Sequence, residues 1–482
     1  MTTEYDKFYI GGEWIDPASD RTIEVLSAST EARIGQVPDG IEEDVDRAVA
    51  AARRAFDDPT GWAHWTPAER ADAMERLAAA IDARSTEIAH RISNQNGMPI
   101  TTSTGIEAVF PTTLLRFYAA VARNREQEEH RAGMIVRETI VRREPVGVVG
   151  AIVPWNFPQT LAFLKIGPAL AAGCTLVMKP SPETVLDGFL LAEAIDEARI
   201  PAGVINIVPG GREVGAYLVA HPQVDKVAFT GSTAAGRQVA ETCGRLLRPV
   251  TLELGGKSAA IVLDDANFDE QTLRENLFVS TLTNNGQTCW LCTRVLAPRS
   301  RYDEIVDLIT DMASSATVGD ALDPATQIGP LASSRHRDRV EGYIAKGLGE
   351  GARLTTGGGR PKGLDKGWFV EPTVFADVDN NSVIAQEEIF GPVLSVVAYD
   401  SVDDAVRLAN DSDYGLGGTV WSADEDRALD VARRVQTGTI GLNVFLPEIN
   451  APFGGVKASG MGYEFGAEAI GGYEHLKTIF RR

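Results

Sequence analysis

The chain has 482 residues, of which 44% are hydrophobic and 23% charged, so it can bury large cores and is not a disordered protein. Its formal net charge of −21 disfavours nonspecific binding to nucleic acid or to anionic membranes. Four cysteines are too few for the disulfide framework of a small secreted protein. Neither a signal peptide nor an 18-residue apolar stretch is evident, so we expect a cytoplasmic protein.

The N-terminal part predicts helices that serve as scaffold. Residues 41–56 place apolar side chains on one helical face. The letters TPAE at residues 66–69 form a capping box with proline at the first helical position, which predicts a helix through Ile81.

Residues 150–256 alternate between short β-rich runs and helical stretches such as Glu183–Arg199. This alternation predicts a parallel, doubly wound sheet, which binds ligands beyond the carboxyl ends of its strands. The β-rich runs are Ala151–Trp155, Thr175–Lys179, Val204–Gly210, Lys226–Ser232 and Thr251–Gly255.

Residues 257–450 predict a second α/β unit, with a first strand at Ser258–Leu263. Its helices are expected near residues 265–283, 301–316 and 335–350. Two β-prone pieces, Gly133–Val149 and Lys477–Phe480, fit neither unit. Each could be an edge strand that pairs with another subunit.

Cys289 follows a polar, glycine-containing stretch in NNGQTCWLC, residues 284–292. A free cysteine is often only a small buried hydrophobe, but loops of this composition commonly carry function. A redox or zinc site formed with Cys292 is a further alternative. Zinc needs four ligands, and no second pair is visible, so we expect no metal.

Glu253 ends an apolar run in TLELGGK, residues 251–257. A buried carboxylate is costly unless it is paired, and Lys257 is one candidate partner. The alternative is a general base whose pKa is raised by apolar surroundings.

Asn156 lies in PWNFP, residues 154–158, where two prolines stiffen a loop at a strand end. An amide held there could donate to a developing oxyanion, or it could be an ordinary turn asparagine.

A phosphate site is suggested by GSTAAG at residues 231–236, because backbone N–H groups at a helix start favour anions. The spacing is not that of the glycine-rich dinucleotide fingerprint. Lys179, at another strand end, could bind a ribose or remain solvated.

Read together, these segments resemble the aldehyde dehydrogenase superfamily over nearly the whole chain. Seven blocks occur in the order and spacing of that family. They are PWNFP at 154–158, KP at 179–180, FTGST at 229–233, ELGGK at 253–257, NNGQTC at 284–289, EEIFGPV at 387–393 and PFGGVKASGMG at 452–462.

The resemblance implies that an aldehyde is oxidised to a carboxylic acid with NAD(P) through a cysteine thioester. Cys289 matches the nucleophile and Glu253 the base that activates water for hydrolysis. Asn156 matches the oxyanion donor, and Glu464 matches a carboxylate that helps to pass protons out.

The resemblance also implies a set of cofactor contacts. Lys179 and Glu388 match the ribose contacts, Phe390 flanks the nicotinamide, and Gly231 and Ser232 match the pyrophosphate contacts. The remaining expected contacts are Ile152, Pro154, Trp155, Gly211, Gly215, Phe229, Leu254 and Gly255.

Three positions depart from the family pattern. Pro182 stands where the family often has a glutamate that grips the adenosine ribose, and Glu183 should point elsewhere. With Arg212 as a possible phosphate partner, we expect NAD to be used with only modest discrimination against NADP. Tyr463 replaces an arginine that supports packing or subunit contacts, and Trp290 should narrow the substrate tunnel.

The implied architecture is an α/β fold with a dinucleotide-binding domain built on the doubly wound sheet, an α/β catalytic domain and a small β oligomerisation arm. We expect the first domain at residues 1–124 and 147–254, the catalytic domain at 255–450, and the arm at 125–146 and 467–482. The implied assembly is a homodimer or homotetramer.

The substrate tunnel should favour an apolar aldehyde over a semialdehyde acid. Its expected lining is Phe157, Leu161, Leu164, Trp290 and Phe445. Two alternatives remain: a CoA-acylating dehydrogenase, which needs no base for water, and a non-catalytic protein that keeps the fold. The presence of Glu253 disfavours the first, and the intact set of catalytic residues disfavours the second.

Overall fold

The N-terminal helices form as predicted in the computed structural model, which describes residues 2–269 and 271–482. Thr66 is the N-cap of the helix Pro67–Asp82: its backbone N–H donates to Glu69 Oε2 over 2.7 Å, and its hydroxyl accepts from the Glu69 N–H over 3.3 Å. In chain order, the α-helices are Glu42–Asp57, Pro67–Asp82, Ser85–Asn96, Ile100–Gly105, Phe110–Asn124, Pro158–Ala172, Leu186–Glu197, Arg212–Ala220, Thr233–Arg245, Gln271–Leu282, Tyr302–Ser314, Ser334–Gly349, Val383–Gln386, Val402–Asn410 and Glu425–Ala432.

The first sheet contains the strand runs predicted between residues 150 and 256. Its middle strands are parallel and its outer strands antiparallel. In spatial order they are Gly460–Met461, Val250–Glu253, Lys226–Thr230, Val148–Ile152, Thr175–Lys179, Ile205–Ile207, Phe8–Ile10 and Glu13–Ile15. Helices pack on both faces, with separate cores between each face and its helices. The doubly wound prediction is confirmed.

One predicted strand in this sheet was misplaced along the chain. The run Ala151–Trp155 is in fact the strand Val148–Ile152. Val148 and Val149 are fully buried and extend the strand backwards. It stops before Pro154, which has no N–H to donate to a neighbour. The shift leaves residues 153–157 as the loop that carries Asn156.

The second sheet is parallel apart from one edge pair. In spatial order its strands are Arg353–Thr356, Thr373–Ala376, Val393–Tyr399, Arg294–Pro298, Ala259–Val262, Gly418–Trp421 and Gly441–Leu442. Smaller pieces complete the strand set: Thr3–Glu4, Arg33–Pro38 and Thr22–Leu26 in one sheet, and Tyr414–Gly415 with Val456–Lys457 in another.

The two pieces that fit neither unit pair with each other within the chain. The hairpin Glu128–Ala132 and Glu138–Pro145 adds Glu474–Arg481 as a third antiparallel strand. This arm exposes Met134 and Ile135 completely at its hairpin tip. Within the described residues, no helix is long and apolar enough to cross a membrane.

Candidate active site

A cavity of about 520 Å³ opens where strands of the first sheet end. Many of the predicted site residues line it, from both α/β units: Pro154, Trp155, Asn156, Gly231, Ser232, Glu253, Leu254, Gly255, Cys289, Glu388 and Phe390. A larger surface groove of about 850 Å³ lies between the helices Gln271–Leu282 and Tyr302–Ser314 and contains no predicted site residue.

The loop that leads to Cys289 is buried and conformationally unusual. Asn284, Asn285 and Gly286 have φ values of 54°, 60° and 77°, a left-handed run that asparagine and glycine tolerate best. Asn285 Nδ2 donates to the carbonyls of Gly97 and Pro330 over 2.8 and 2.9 Å. These bonds fix the loop against segments distant in sequence, and thereby the place of the thiol.

Cys289 is partly buried and lines the cavity. Burial raises the pKa of its thiol above the ordinary range, and the nearby carboxylates of Glu388 and Glu253 raise it further. Cys292 is fully buried in a different core, where its sulfur accepts from the Thr419 hydroxyl over 3.5 Å. Both cysteines are free thiols, so the alternative of a disulfide pair is not realised.

Glu253 is 3% exposed, and neither of its carboxylate oxygens has a hydrogen-bond partner within the described part of the chain. Burial raises its pKa well above the ordinary value, the charge of Glu464 adds to this, and Lys165 opposes it. The alternative of an ion pair with Lys257 is wrong, because the Lys257 Nζ is likewise buried without a partner there.

Glu464 lies outside the lining of the cavity, in a buried ion pair with Lys165 at 2.7 Å. Lys165 Nζ also donates to the Thr230 hydroxyl over 2.7 Å. Thr230 lines the cavity and Glu464 acts electrostatically on Glu253, so the pair sits directly behind the site. The sequence analysis missed Lys165, whose only signal is a charge within the apolar helix Pro158–Ala172.

Asn156 is 5% exposed and tightly held. Its Nδ2 donates one N–H to the Gln287 carbonyl over 3.0 Å. The backbone carbonyl of Asn156 accepts from Asn284 Nδ2 over 3.0 Å and from Asn96 Nδ2 over 3.3 Å. An amide nitrogen carries two N–H groups, which leaves the second for a ligand in the cavity.

The residues at the start of the helix Thr233–Arg245 fit a phosphate group of a dinucleotide. Ser232 is the N-cap of the helix Thr233–Arg245 and accepts from the Ala235 N–H. Ser232 and Gly231 both line the cavity, so this helix begins at its wall. A helix start of this kind favours a pyrophosphate. A Cβ on Gly231 would lie 2.7 Å from the Phe229 ring, and nothing lies within 4 Å of one on Gly211.

Lys179 does not line the cavity. Its Nζ donates to the carbonyls of Gly210 and Pro180 over 2.7 and 3.0 Å, and burial lowers its pKa to about 8. A Cβ added at Gly215 would lie 3.4 Å from Lys179 Cδ and 3.8 Å from Ile152 Cδ1, so Gly215 lies close to both side chains. Lys179 therefore connects the ends of two neighbouring strands through these two hydrogen bonds.

Glu388 and Phe390 form another wall of the cavity. Glu388 Oε1 accepts from the Gly256 N–H over 3.1 Å, and burial raises the pKa of Glu388 to about 7. Phe390 has a φ of 65°, an uncommon value for a bulky residue. Its carbonyl is 2.6 Å from His336 Nε2, and burial lowers the pKa of His336 to about 4. The neutral imidazole therefore donates to Phe390.

Arg212, the possible phosphate partner, also lines the cavity. Further residues line it without having been predicted as contacts: Glu183, Thr230, Ser333, Arg335, His336 and Arg339. Glu183, which we expected to point elsewhere, thus has atoms at the cavity. The sequence offered a sign of three of these residues, because Arg335, His336 and Arg339 lie in the first two turns of the helix Ser334–Gly349. Cations are unfavourable at that end of a helix dipole, so the presence of Arg335 and Arg339 there favours a functional role over a purely structural one.

The predicted substrate residues lie outside this cavity lining, in the hydrophobic cluster that also contacts Cys289. Trp290 stacks on Phe445 with ring centroids 4.6 Å apart. Phe157 and Leu164 are 8% and 2% exposed, and Leu161 is partly buried. The thiol thus has a polar cavity on one side and aromatic and aliphatic side chains on the other.

Comparison with known proteins identifies the architecture. Residues 14–479 match the model of the aldehyde dehydrogenase family. The geranial dehydrogenase of Castellaniella defragrans is 57% identical over 480 residues, which cover 100% of this chain and 99% of that protein. The 3-succinoylsemialdehyde-pyridine dehydrogenase of a Pseudomonas species is 41% identical over 478 residues, covering 99% of this chain and 98% of that protein.

Two solved structures are similar over nearly their whole length. The aldehyde dehydrogenase of Mycobacterium tuberculosis complexed with NAD+ has a TM-score of 0.97 and 46% identity, covering 100% of this chain and 99% of that one. A mutant aldehyde dehydrogenase of Pseudomonas syringae, complexed with NAD+ and octanal, has a TM-score of 0.94 and 39% identity, covering 98% and 96%. The chain described here therefore belongs to the aldehyde dehydrogenase family and is an NAD-dependent enzyme that oxidises a small aldehyde.

Proposed function

We propose that Cys289 is the nucleophile of this aldehyde dehydrogenase and that Asn156, Glu253 and Glu464 assist it. The observation that carries the proposal is that Cys289, Asn156 and Glu253 line one cavity. Gly231 and Ser232, at the start of a helix, line the same cavity and suit a dinucleotide phosphate. Because burial raises the pKa of the Cys289 thiol, the thiol needs a base. Glu253, with a raised pKa and no hydrogen-bond partner in the described structure, is suited to take its proton.

Bond formation then follows from the geometry. The Cys289 sulfur forms a bond to the aldehyde carbon, and the oxygen gains a negative charge that the second N–H of Asn156 stabilises. The C–H bond of the former aldehyde carbon then breaks and the oxyanion returns to a carbonyl, which leaves a thioester on Cys289; NAD, when bound, would accept the hydrogen with its two electrons as hydride. Glu253 first passes the thiol proton on and becomes a carboxylate again, and it then takes a proton from water. The water oxygen bonds to the thioester carbon, the carbon–sulfur bond breaks, and the carboxylic acid is released while Cys289 leaves as a thiolate. The buried Lys165–Glu464 pair carries the proton away from Glu253.

We infer that the substrate is an apolar aldehyde of about eight to ten carbons. The stacked Trp290 and Phe445 rings beside Cys289 support this, as do the geranial dehydrogenase and octanal complex among the relatives. Each buried methylene stabilises by roughly 0.8 kcal/mol. The four methylenes that distinguish octanal from butanal should therefore raise kcat/KM by up to about 200-fold.

An aldehyde panel followed by NADH absorbance tests this function. We expect geranial and octanal to be oxidised with far higher kcat/KM than butanal or the cationic betaine aldehyde, without CoA. A strict requirement for CoA would instead identify an acylating enzyme. Absence of NADH formation with every aldehyde would leave only a non-catalytic role, and a preference for betaine aldehyde would refute the apolar tunnel.

We further propose that the chain is organised as a dinucleotide-binding domain, a catalytic domain and an arm, and that it assembles through the arm as a homodimer or homotetramer. The arm leaves outer strand edges open and exposes Met134, Ile135 and Phe480 by 101%, 100% and 71%, which is costly in water. Light scattering should report a multiple of 51.8 kDa, and a monomer at micromolar concentration would refute this assembly. Four free cysteines support a reducing location such as the cytoplasm.

A further inference from the structure

The helix that follows Asn156 cannot cap its own start. It begins at Pro158, which has no N–H, and its N-cap Phe157 is apolar and provides no side-chain hydrogen bond. The N–H of Leu161 donates to the carbonyl of Phe157 over 2.9 Å. The two N–H groups between these positions therefore need acceptors from elsewhere in the protein.

Glu107 supplies both acceptors from a segment 52 residues earlier in the chain. Its Oε2 accepts from the Gln159 N–H over 2.8 Å, and its Oε1 accepts from the Thr160 N–H over 3.3 Å. Glu107 is fully buried, and Gln159 and Thr160 are only 1% and 6% exposed. An N–H left without an acceptor in such a place is costly, so Glu107 acts as the cap of a helix to which it does not belong.

The capped helix start and Asn156 belong to one short stretch of chain. Asn156 precedes Gln159 by only three residues, one of which is a proline. At the other end of the stretch, Asn96 and Asn284 hold the Asn156 carbonyl. A shift of the helix start would therefore displace the Asn156 amide, and a displacement approaching 1 Å at a group that meets the reacting atoms can cost about 100-fold in rate.

The Gln159 side chain provides a second anchor for the same helix start. Its Nε2 donates to Asp187 Oδ2 over 2.9 Å and to the Asp187 carbonyl over 3.0 Å. Asp187 Oδ1 in turn accepts from Gln95 Nε2 over 3.3 Å, and Gln95 directly precedes Asn96 in the chain. Both ends of the stretch that carries Asn156 are thus held by one buried set of hydrogen bonds.

We propose that Glu107 and Asp187 are positioning residues of the dehydrogenase reaction, because together they hold the helix start that keeps the Asn156 amide where the oxyanion forms. The proposal rests on the proposed function, in which Asn156 stabilises that oxyanion. Neither carboxyl group belongs to the lining of the cavity, so both act through Asn156. A glutamine in place of Glu107 offers one acceptor oxygen instead of two. Its loss should lower kcat and leave the binding of NAD nearly unchanged.

Steady-state kinetics with octanal and titration with NAD test this role. An assay at about pH 9.5 lies above the pKa of about 8 to which burial raises Glu107, so the carboxylate is ionised. Glu107→Gln should lower kcat about tenfold and change the Kd of NAD by less than about twofold. Asp44→Asn is the matched control and should keep the wild-type kcat. Asp44 is also fully buried and accepts from the N–H groups of Ile41 and Ala18 over 3.1 and 2.9 Å beside a helix start, but it lies outside the cavity lining.

A double variant shows whether Glu107 acts through Asn156. Asn156→Ala alone should lower kcat by about 100-fold. In that enzyme the amide is gone, so adding Glu107→Gln should lower kcat by less than about twofold more. A further tenfold loss in the double variant, or an equal kcat in Glu107→Gln and the wild type, would overturn the proposal while leaving the dehydrogenase function intact.

Asp187→Asn tests the same helix start through its second anchor and serves if Glu107→Gln does not fold. It should lower kcat by about threefold or more, and this loss should likewise disappear in the Asn156→Ala enzyme. A kcat equal to that of the wild type would overturn the proposal. An unchanged kcat in Asn156→Ala alone would instead overturn the role of Asn156 in the proposed function.

Discussion

Gly256 follows the strand Val250–Glu253 and lies against the backbone of Cys289. Replacing Gly256 by alanine adds one methyl group there, which should disturb catalysis. A Cβ added at Gly256 would lie 2.4 Å from the Cys289 carbonyl oxygen and 3.3 Å from Leu416 Cβ. The φ of Gly256 is not positive, so alanine meets no backbone penalty. Gly256→Ala therefore isolates the steric contact.

The size of the effect follows from the distances. Real Cβ atoms essentially never approach another heavy atom within 3.0 Å, so the two backbone segments must separate by about 0.6 Å. Overpacking of this kind costs about 1–3 kcal/mol of stability. A displacement approaching 1 Å at the reacting atoms can cost about 100-fold in rate, so we expect kcat to fall on the order of 10- to 100-fold.

Steady-state turnover with octanal, thermal melting and NAD titration together check this expectation. Gly342→Ala serves as the control, because Gly342 lies within the helix Ser334–Gly349 and nothing lies within 4 Å of its added Cβ. That control should melt slightly higher than the wild type, since alanine favours a helix over glycine by about 1 kcal/mol, and turn over normally. A Gly256→Ala enzyme with turnover within about twofold of the wild type would refute the reasoning.

The remaining three predictions concern the two neighbouring cysteines, Glu253 and Glu107. Cys289→Ala should abolish dehydrogenase activity and Cys292→Ala should retain most of it; comparable losses in both would contradict the choice of nucleophile. Glu253→Gln should give a burst of NADH without sustained turnover, with the acyl-enzyme detected by mass spectrometry, whereas unchanged turnover would show that another group is the base. Burial raises the pKa of Glu107 to about 8 from 4.5. Its protonated form is favoured in the folded state, so its contribution to stability falls as pH rises from about 4.5 to about 8, by about 1.4 kcal/mol per pH unit. Glu107→Gln should flatten that decline in the free energy of unfolding measured with urea, and an identical slope in the variant would contradict the raised pKa.

The sequence predicted those parts of the site that follow strand ends or sit in distinctive local patterns. Alternating β-rich and helical runs placed Asn156, Ser232 and Glu253 at one sheet edge, and the structure brings all of them to one cavity. The loop of Cys289 was also recognisable from its glycine and polar residues. Its consecutive asparagines and glycine adopt a left-handed backbone in the structure. These inferences needed only local chemistry and the rule for parallel sheets.

Other parts of the site depend on contacts between segments far apart in sequence. Lys165 meets Glu464 across 299 residues, and the meeting of His336 and Phe390 likewise depends on tertiary packing. Glu183 shows the same limit at shorter range. From the sequence alone, Pro182 at the family's glutamate position suggests that no carboxylate faces the cavity, yet Glu183 lines it. The direction of a loop side chain depends on the residues that surround it, which the sequence does not give.

The loop at residues 284–289, which ends at Cys289, holds the two α/β units together at the cavity. Asn285 bonds to Gly97 in the N-terminal part and to Pro330 in the second unit, while Asn284 bonds to the carbonyl of Asn156. A movement of either unit relative to the other would therefore break side-chain bonds that are buried and costly to lose. Because Asn156, the proposed oxyanion donor, belongs to the first unit and Cys289, the proposed nucleophile, to the second, these bonds keep the two residues at a fixed separation. That arrangement pre-organises the charge stabilisation that the proposed reaction needs.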